Sequence, residues 1–446
     1  MFENIYICGI KSNLDKMIVE FSVKNFRSIS DLQTISFVAT NLKSSKENEY
    51  VDLNNIVTDN KTRLLKTIGI YGANASGKSN IVKALEYFCE AVSDLPSPES
   101  RLFNLAQPFI YQNDSEDTES FFQIVLMLEG KKYRYGFTVK RNLEIKKNNP
   151  NASKEIITNE WLFGPKKTNQ GKFFSRENLK VDKSNLPGSE NIAPLEYEHT
   201  LFLTHAASYN KDICAKIRNI IKGSITYQFN IRNDFYRFHS IRQIEDVELK
   251  TQFLDFLKSF GLNYDDIYFD RDKETANDYY PLEKLFLLKT AGHDNTENIV
   301  LNMQYHESEG TKKLFDIAGL LLFAFNIKIG GLIILDEIDS NFHPSLLIKL
   351  ISFFNDTNIN KSNAQLLFTS HDTNLMSPSL MRRDQFYFTE KEENEGTRLY
   401  SLSELKGIRN DADFAKQYLA GFYGGIPSLS TFLGDKNLKN DGTLEY

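Results

Sequence analysis

GIYGANASGKSNIVKALEYF, residues 69–88, is the stretch that decides the reading. Its centre, GANASGKS (72–79), matches G-x-x-x-x-G-K-[ST], with an apolar strand-like run before it (LLKTIGIY, 64–71) and a helical pattern after it. That strand–loop–helix context is what gives the motif its chemistry. Gly72 and Gly77 permit a backbone that wraps N–H groups around phosphate oxygens. Lys78 reaches toward β- and γ-phosphates, Ser79 offers a hydroxyl to Mg²⁺, and the helix behind adds the positive end of its dipole. From Ser79 to Val92 the apolar stripe Ile81, Val82, Leu85, Phe88 and Cys89 predicts an amphipathic helix.

Outward from this loop the same chemistry recurs at other strand ends. LIILDEID (332–339) carries Asp336 and Glu337 after a four-residue apolar run. A metal–phosphate site needs one carboxylate at a strand tip for the metal and another to orient water, which assigns Asp336 to Mg²⁺ and Glu337 to water. LLFTSHD (366–372) places His371 beyond a further apolar run, 35 residues after Asp336, where it can sense a γ-phosphate. Both runs are continuous rather than alternating, as in buried parallel strands. The gap of 257 residues from Ser79 to Asp336 is too long for a small GTPase, and no NKxD follows. It is also too long for a ring-forming AAA+ module, and fits a split site of the ABC/SMC/RecF style. ESEGTKKL (307–314) stands where such a site needs a signature segment, with Ser308 and Gly310 as its γ-phosphate contacts and Glu309 where LSGGQ has its first glycine.

Composition narrows the class. Of 446 residues, 41% are hydrophobic and 25% charged, ordinary globular usage that excludes collagen-like, mini-protein and largely disordered chains. The net charge of −6 means that any nucleic-acid contact needs a local patch, and Lys131, Lys132, Arg134, Lys140, Arg141, Lys146 and Lys147 form one candidate. Cys8, Cys89 and Cys214 are too scattered for a disulfide framework or a zinc site, which points to a reducing cytoplasm. IAGLLLFAFNIKIGGLIIL (317–335) is broken by Asn326, Lys328 and Gly330-Gly331, so it predicts a buried helix, a turn and a strand rather than a membrane span. The first residues carry no basic, apolar leader pattern, so no signal peptide and no membrane are expected.

The organisation follows from these anchors. Residues 1–16 read as an extension before the strand pattern MIVEFSVKNF. FFQIVLML and YRYGFTVK flank EGKK as a hairpin, and EIITNEWLF (155–163) predicts a further strand. The polar stretches 141–154 and 164–190 read as loops, 197–222 and 243–260 as helical, and Thr311–Phe325 as a buried helix. The expected fold is an α/β P-loop NTPase with a mixed central sheet, an antiparallel β subdomain, a helical insert and no long coiled coil. The divisions are 17–90, 91–300 and 301–390 within one ATPase domain spanning 17–430, then a polar tail at 431–446.

The motif order GANASGKSN, SEGTKKL, LIILDEIDSNFHP and LLFTSHD resembles the stand-alone ABC-type ATPases of bacterial phage defence, relatives of the OLD, AbiL/RloA and PARIS ATPases. EFSVKNFRS (20–28) matches their usual opening and AGFYGGIP (420–427) their closing segment. The resemblance implies that the Asn25 turn and Arg27 lie near nucleotide and that Asn74 and Ser76 line the phosphate loop, whose motif runs on to Asn80. His343 falls where transporters carry a D-loop aspartate, and Gln107 and Gln112 are the candidates for a Q-loop glutamine. It further implies ATP and Mg²⁺ as cofactors and an ATP-sandwich homodimer or higher oligomer. A separately encoded effector, a Toprim- or RNase-type nuclease, and a phage-encoded trigger are the implied partners. The alternative is a RecF-like repair ATPase that binds DNA directly. A nuclease within this chain is not expected: DAD at 411–413 reads as a helix start with Asp411 as its cap.

Overall fold

The structure, a computed structural model, describes residues 14–59, 62–97, 106–111, 118–141, 155–166, 169–209, 213–228, 236–271, 280–291, 297–326, 331–340 and 342–427. Two sheets organise it. The first is antiparallel, in the order Lys180–Asp182, Asn169–Glu177, Glu155–Lys166, Lys131–Arg141, Ser120–Leu128, Ile18–Lys24, Gln33–Ser36. The second runs Ile225–Gln228, Leu332–Asp336, Gln365–Thr369, Thr67–Gly72, Phe386–Lys391, Thr397–Ser401. Its first five strands are parallel and the last is antiparallel. This is the mixed central sheet with an antiparallel subdomain expected for the split P-loop class.

Alternation explains the layering. In the second sheet Ile68, Ile70, Leu332, Ile334 and Leu367 face a core shared with the phosphate-loop helix Lys78–Ser93 and the antiparallel sheet. Tyr71, Ile333, Leu335, Leu366 and Phe368 face a second core with the helices Arg237–Glu245, Val247–Ser259, Glu309–Asn326 and Pro344–Asn355. Both faces are covered, so the runs Leu332–Leu335 and Leu366–Phe368 are continuously apolar. Gln365 ties the two sheets: its amide donates to Ile18 O (3.0 Å) and Leu65 O (3.1 Å) and its oxygen accepts from Ile18 N (2.6 Å).

The hairpin turns tightly at Glu129-Gly130, both with positive φ (52° and 71°), the twist a two-residue turn requires. The run 64–71 ends in the short strand Thr67–Gly72, as expected; before it Thr62–Leu65 pairs with Ile56–Asp59, and the chain breaks at Lys66, whose buried amine donates to Asn355 O (3.0 Å). Two sequence expectations are corrected. Residues 169–177 and 180–182 are strands, not loop. They lie at the sheet's edge, where the buried positions are Phe174 and the polar Arg176, paired with Glu160, and the neighbours are partly or fully exposed, which hides the strand pattern. Asp413, not Asp411, caps the helix Phe414–Leu419, accepting from Lys416 N (2.9 Å), while Asp411 pairs with Arg409. Among the described residues no helix is long and apolar enough to cross a membrane. The candidates Gln112, Lys146 and Lys147 and the tail 431–446 lie outside the described residues.

The helix Glu309–Asn326 is locked to Arg237–Glu245 by two buried devices. Arg237 Nε donates to Asp316 Oδ1 (2.7 Å). Ser240 Oγ donates to Phe315 O (2.5 Å) and accepts from Gly319 N (3.0 Å), bridging the two groups that a helical turn pairs directly. A Cβ on Gly319 would strike the backbone of His239 and Ser240. We therefore expect Gly319→Val to destabilise the fold by about 2–3 kcal/mol despite valine's better helix propensity. Ser240→Ala should cost less than about 1.5 kcal/mol, because Phe315 and Gly319 can pair with each other. Urea or thermal unfolding of the two variants reads the order; equal costs would refute the close-contact account.

Candidate functional site

The parallel register places three strand ends at one edge, with Leu335 beside Phe368 and Thr369 beside Ile70. The phosphate loop leaves the central strand there. Gly72 (φ 153°), Ala75 (φ 62°) and Gly77 (φ 106°) give it its curl. Close neighbours fix its shape: a Cβ on Gly72 would lie 2.5 Å from Thr389 O, and one on Gly77 would run into Thr397. A chain of hydroxyls completes the clamp. Ser76 Oγ bonds Thr389 Oγ1 (2.6 Å), Thr397 Oγ1 donates to Ser76 O (3.0 Å), Ser28 Oγ bonds Thr397 Oγ1 (2.7 Å), and Asn80 Nδ2 donates to Ser28 Oγ (2.7 Å). A Cβ on Gly425 of the closing segment would lie 3.7 Å from Gly72 Cα. Asn74 stands exposed at the loop tip.

Lys78 is buried and folds back on its own loop, donating to Gly72 O (2.8 Å) and Ala73 O (3.0 Å). Burial lowers its pKa to about 8, against the opposing charges of Asp336, Asp339 and Glu337. Ser79 Oγ donates to Asp336 Oδ1 (3.4 Å), and Thr369 Oγ1 donates to the same oxygen (2.6 Å). Hydroxyl and carboxylate oxygens together are the donor set that Mg²⁺ takes, so these residues fit that ion. Glu337 has a left-handed backbone (φ 53°), and its N–H donates to Thr369 Oγ1 (2.8 Å). The His371 N–H donates to Asp339 Oδ2 (3.1 Å). Burial and then Lys78 hold the His371 imidazole below its ordinary pKa, with Asp339, Glu337 and Asp336 opposing.

The structure thus brings Gly72, Ser76, Gly77, Lys78, Ser79, Asn80, Asp336, Glu337 and His371 to one edge. Asn74 lies in the loop itself, and Arg27, Ser308, His343 and Gln107 have partners of their own among the described residues. Arg27 (φ 52°) leans over the Phe26 ring, its pKa lowered by burial and raised by Glu86, two turns along the phosphate-loop helix from Lys78. Ser308 caps the helix Glu309–Asn326, accepting from Thr311 N (3.2 Å), and no hydrogen bond among the described residues joins Ser308 or Gly310 to the phosphate loop. His343 caps the helix Pro344–Asn355 through Ser345 N (3.3 Å). Gln107 has an exposed side chain and gives only its carbonyl, to Arg27 N (2.6 Å). Lys131, Lys132 and Arg134 are exposed on the hairpin, whereas Lys140 and Arg141 are half-buried. Sequence reasoning gave no role to Ser28, Asp339, Thr369, Thr389 or Thr397. Asp339 and Thr369 lie inside quoted motifs, DEID and FTSHD, and were within reach; Ser28 closes the quoted opening EFSVKNFRS, yet nothing there marks it as a clamp, and Thr389 and Thr397 carry no local signal at all.

The Lys78 shift has a sign that can be measured. Below pH 8 the amine of the free protein is charged, and above it the charge is lost; polyphosphate favours the charged form and raises its pKa. ATP affinity should fall as pH rises through 8, with uptake of about half a proton per site at pH 8. Calorimetry in two buffers of different ionisation enthalpy measures this, and Lys78→Arg should abolish the uptake.

Comparison with known proteins agrees with the geometry. The family described as "AAA domain, putative AbiEii toxin, Type IV TA system" matches residues 68–377, which is 310 of the 446 residues. No curated protein matches the chain. A solved structure of the recombination mediator protein RecF with ATPrS, of the RecFOR pathway, is similar at 12% identity and a TM-score of 0.32, covering 86% of this chain and 98% of RecF. The matched span runs from the phosphate-loop strand through His371, and the chain belongs to this AAA-domain family of P-loop proteins.

Proposed function

We propose that the protein is a Mg²⁺-dependent ATPase that acts as an ATP-gated sensor or scaffold in an anti-phage system and controls a separately encoded effector, a nuclease. One observation carries the ATPase reading: Lys78, Ser79, Asp336, Glu337 and His371 meet at the ends of three adjacent parallel strands. The defence setting draws support from the family description, which names a toxin system, and from the motif order. In this reading the protein works in the cytoplasm.

The roles follow from the chemistry of each side chain. Loop N–H groups and the helix N-terminus cradle the phosphates, and Lys78 exchanges its loop carbonyls for phosphate oxygens. Ser79 and Asp336 would hold Mg²⁺, which would supply positive charge to neutralise the phosphates there. Glu337 orients the attacking water, and His371 contacts the γ-phosphate. Ser308 and Gly310, which make no hydrogen bond to their own loop among the described residues, serve a second copy's nucleotide. ATP then favours a closed dimer, and an effector with unequal affinity for open and closed states is held or released.

Lys78→Ala should abolish ATP binding. Glu337→Gln should bind ATP and lose about 10²–10⁴-fold in phosphate release; undiminished turnover would overturn the role of Glu337. Mixing Lys78→Ala with Ser308→Arg protein should recover part of the turnover that each lacks alone, and no recovery under proven subunit exchange would refute the shared site. The purified protein should leave plasmid DNA and tRNA intact, and growth arrest should require both the neighbouring gene and phage infection. ATPase stimulation by DNA alone would favour the RecF-like alternative.

A further inference from the structure

The edge that carries the candidate chemistry holds a hydroxyl, that of Thr369, which no assigned role uses. Thr369 is fully buried, two residues before His371, at the end of the strand Gln365–Thr369. Its hydroxyl donates to Asp336 Oδ1 (2.6 Å) and accepts from Glu337 N (2.8 Å). Its carbonyl accepts from Ile338 N (3.0 Å). Two residues on, Asp339 Oδ2 accepts from His371 N (3.1 Å). Four hydrogen bonds therefore stitch residues 336–339 to residues 369–371.

We infer that Thr369 is a positioning residue for the ATPase reaction, a strut that sets the metal-side carboxylate and the water-orienting carboxylate together. The inference rests on the proposed function. Three observations carry it. Glu337 has φ 53°, a conformation that costs a non-glycine residue energy and persists only when its neighbours impose it. The hydrogen bond from its N–H to Thr369 is one such constraint. The shared hydroxyl also orders its own proton: because it accepts from Glu337, it donates to Asp336, which fixes one carboxylate oxygen and leaves Oδ2 for other partners. Finally, Thr369 and His371 belong to one short segment. A displacement of His371 by phosphate is transmitted to Glu337 through two residues of backbone and one hydroxyl, with no loop between them to absorb it.

The role predicts a division between binding and turnover. Thr369 does not face the phosphate loop's own hydrogen bonds, which run through Thr389, Thr397 and Ser28. Removing its hydroxyl should leave nucleotide binding in place while misaligning both carboxylates. Valine keeps the shape of threonine without the hydroxyl, and serine keeps the hydroxyl without the methyl.

The test uses the full chain as wild type, Thr369→Val and Thr369→Ser. Expected for Thr369→Val is a loss of about 10–100-fold in kcat, the usual effect of removing a partner of a metal ligand. Binding of a fluorescent ATP analogue without Mg²⁺ should stay within about 3-fold of wild type, and Thr369→Ser should regain most of the lost kcat. Hydrogen exchange of the 336–339 backbone gives a readout that does not need turnover: about 2- to 10-fold faster in Thr369→Val and near wild type in Thr369→Ser. Turnover in Thr369→Val within about 3-fold of wild type overturns the inference, as does equal damage in both variants or a parallel loss of nucleotide binding. A wild-type protein that binds ATP without hydrolysing it refutes the proposed function instead, and exchange then decides the strut by itself.

Discussion

Parallel pairing of three strands is the constraint from which the rest follows. Parallel neighbours point their C-terminal ends the same way, so Thr67–Gly72, Leu332–Asp336 and Gln365–Thr369 deliver a loop, a carboxylate pair and a histidine to a single edge. Antiparallel pairing at either junction would send one of them to the opposite end of the sheet, some five residues or about 17 Å away. The pairing survives because both faces of the sheet are buried, which pays for strands with little polar surface and demands helices on each side. The charged groups at the edge are tolerated there because the sheet ends, and solvent or ligand begins.

The polar wiring around this edge divides into two circuits. One runs through hydroxyls of Ser28, Ser76, Thr389 and Thr397 and shapes the phosphate loop. The other runs through Thr369 and Asp339 and shapes the carboxylates and the histidine. Among the described residues the weak contact from Ser79 to Asp336, at 3.4 Å, spans them. In the proposed mechanism, phosphate binding and water positioning are thus held by different bonds, and a metal held by Ser79 and Asp336 would join them.

How much was legible in the sequence depended on whether the signal was local. The loop, the carboxylates and His371 each follow an apolar run, and chemistry at the end of such a run is visible from ten residues. Leu332–Asp336, Gln365–Thr369 and the antiparallel strands Ile18–Lys24, Ser120–Leu128, Lys131–Arg141 and Glu155–Lys166 were legible for the same reason, whereas the inner strand Phe386–Lys391 was not read. The strand Asn169–Glu177 was not, because an edge strand with one buried phenylalanine has the composition of a loop. Ser308 read as a signature residue and His343 as standing at a D-loop position from their order along the chain; their capping bonds became apparent only with helix ends in place. The clamp on the phosphate loop was invisible altogether. Its partners are threonines of no distinctive context, and the fold alone decides that Thr397 meets Gly77.

That clamp bears on how the protein is made. Ser76 meets Thr389 and Thr397 across 313 and 321 residues, and Ser28 meets Thr397 across 369. At translation speeds of about 5–20 residues per second, the loop emerges roughly 15–60 s before the strands that shape it. Throughout that interval the nascent chain carries the phosphate-binding motif without the surroundings that give it form. Its glycines remain free to sample other conformations, and the entropy of ordering them is charged against any nucleotide that arrives. The hydroxyl bonds that order the loop are therefore complete only once synthesis has passed Thr397.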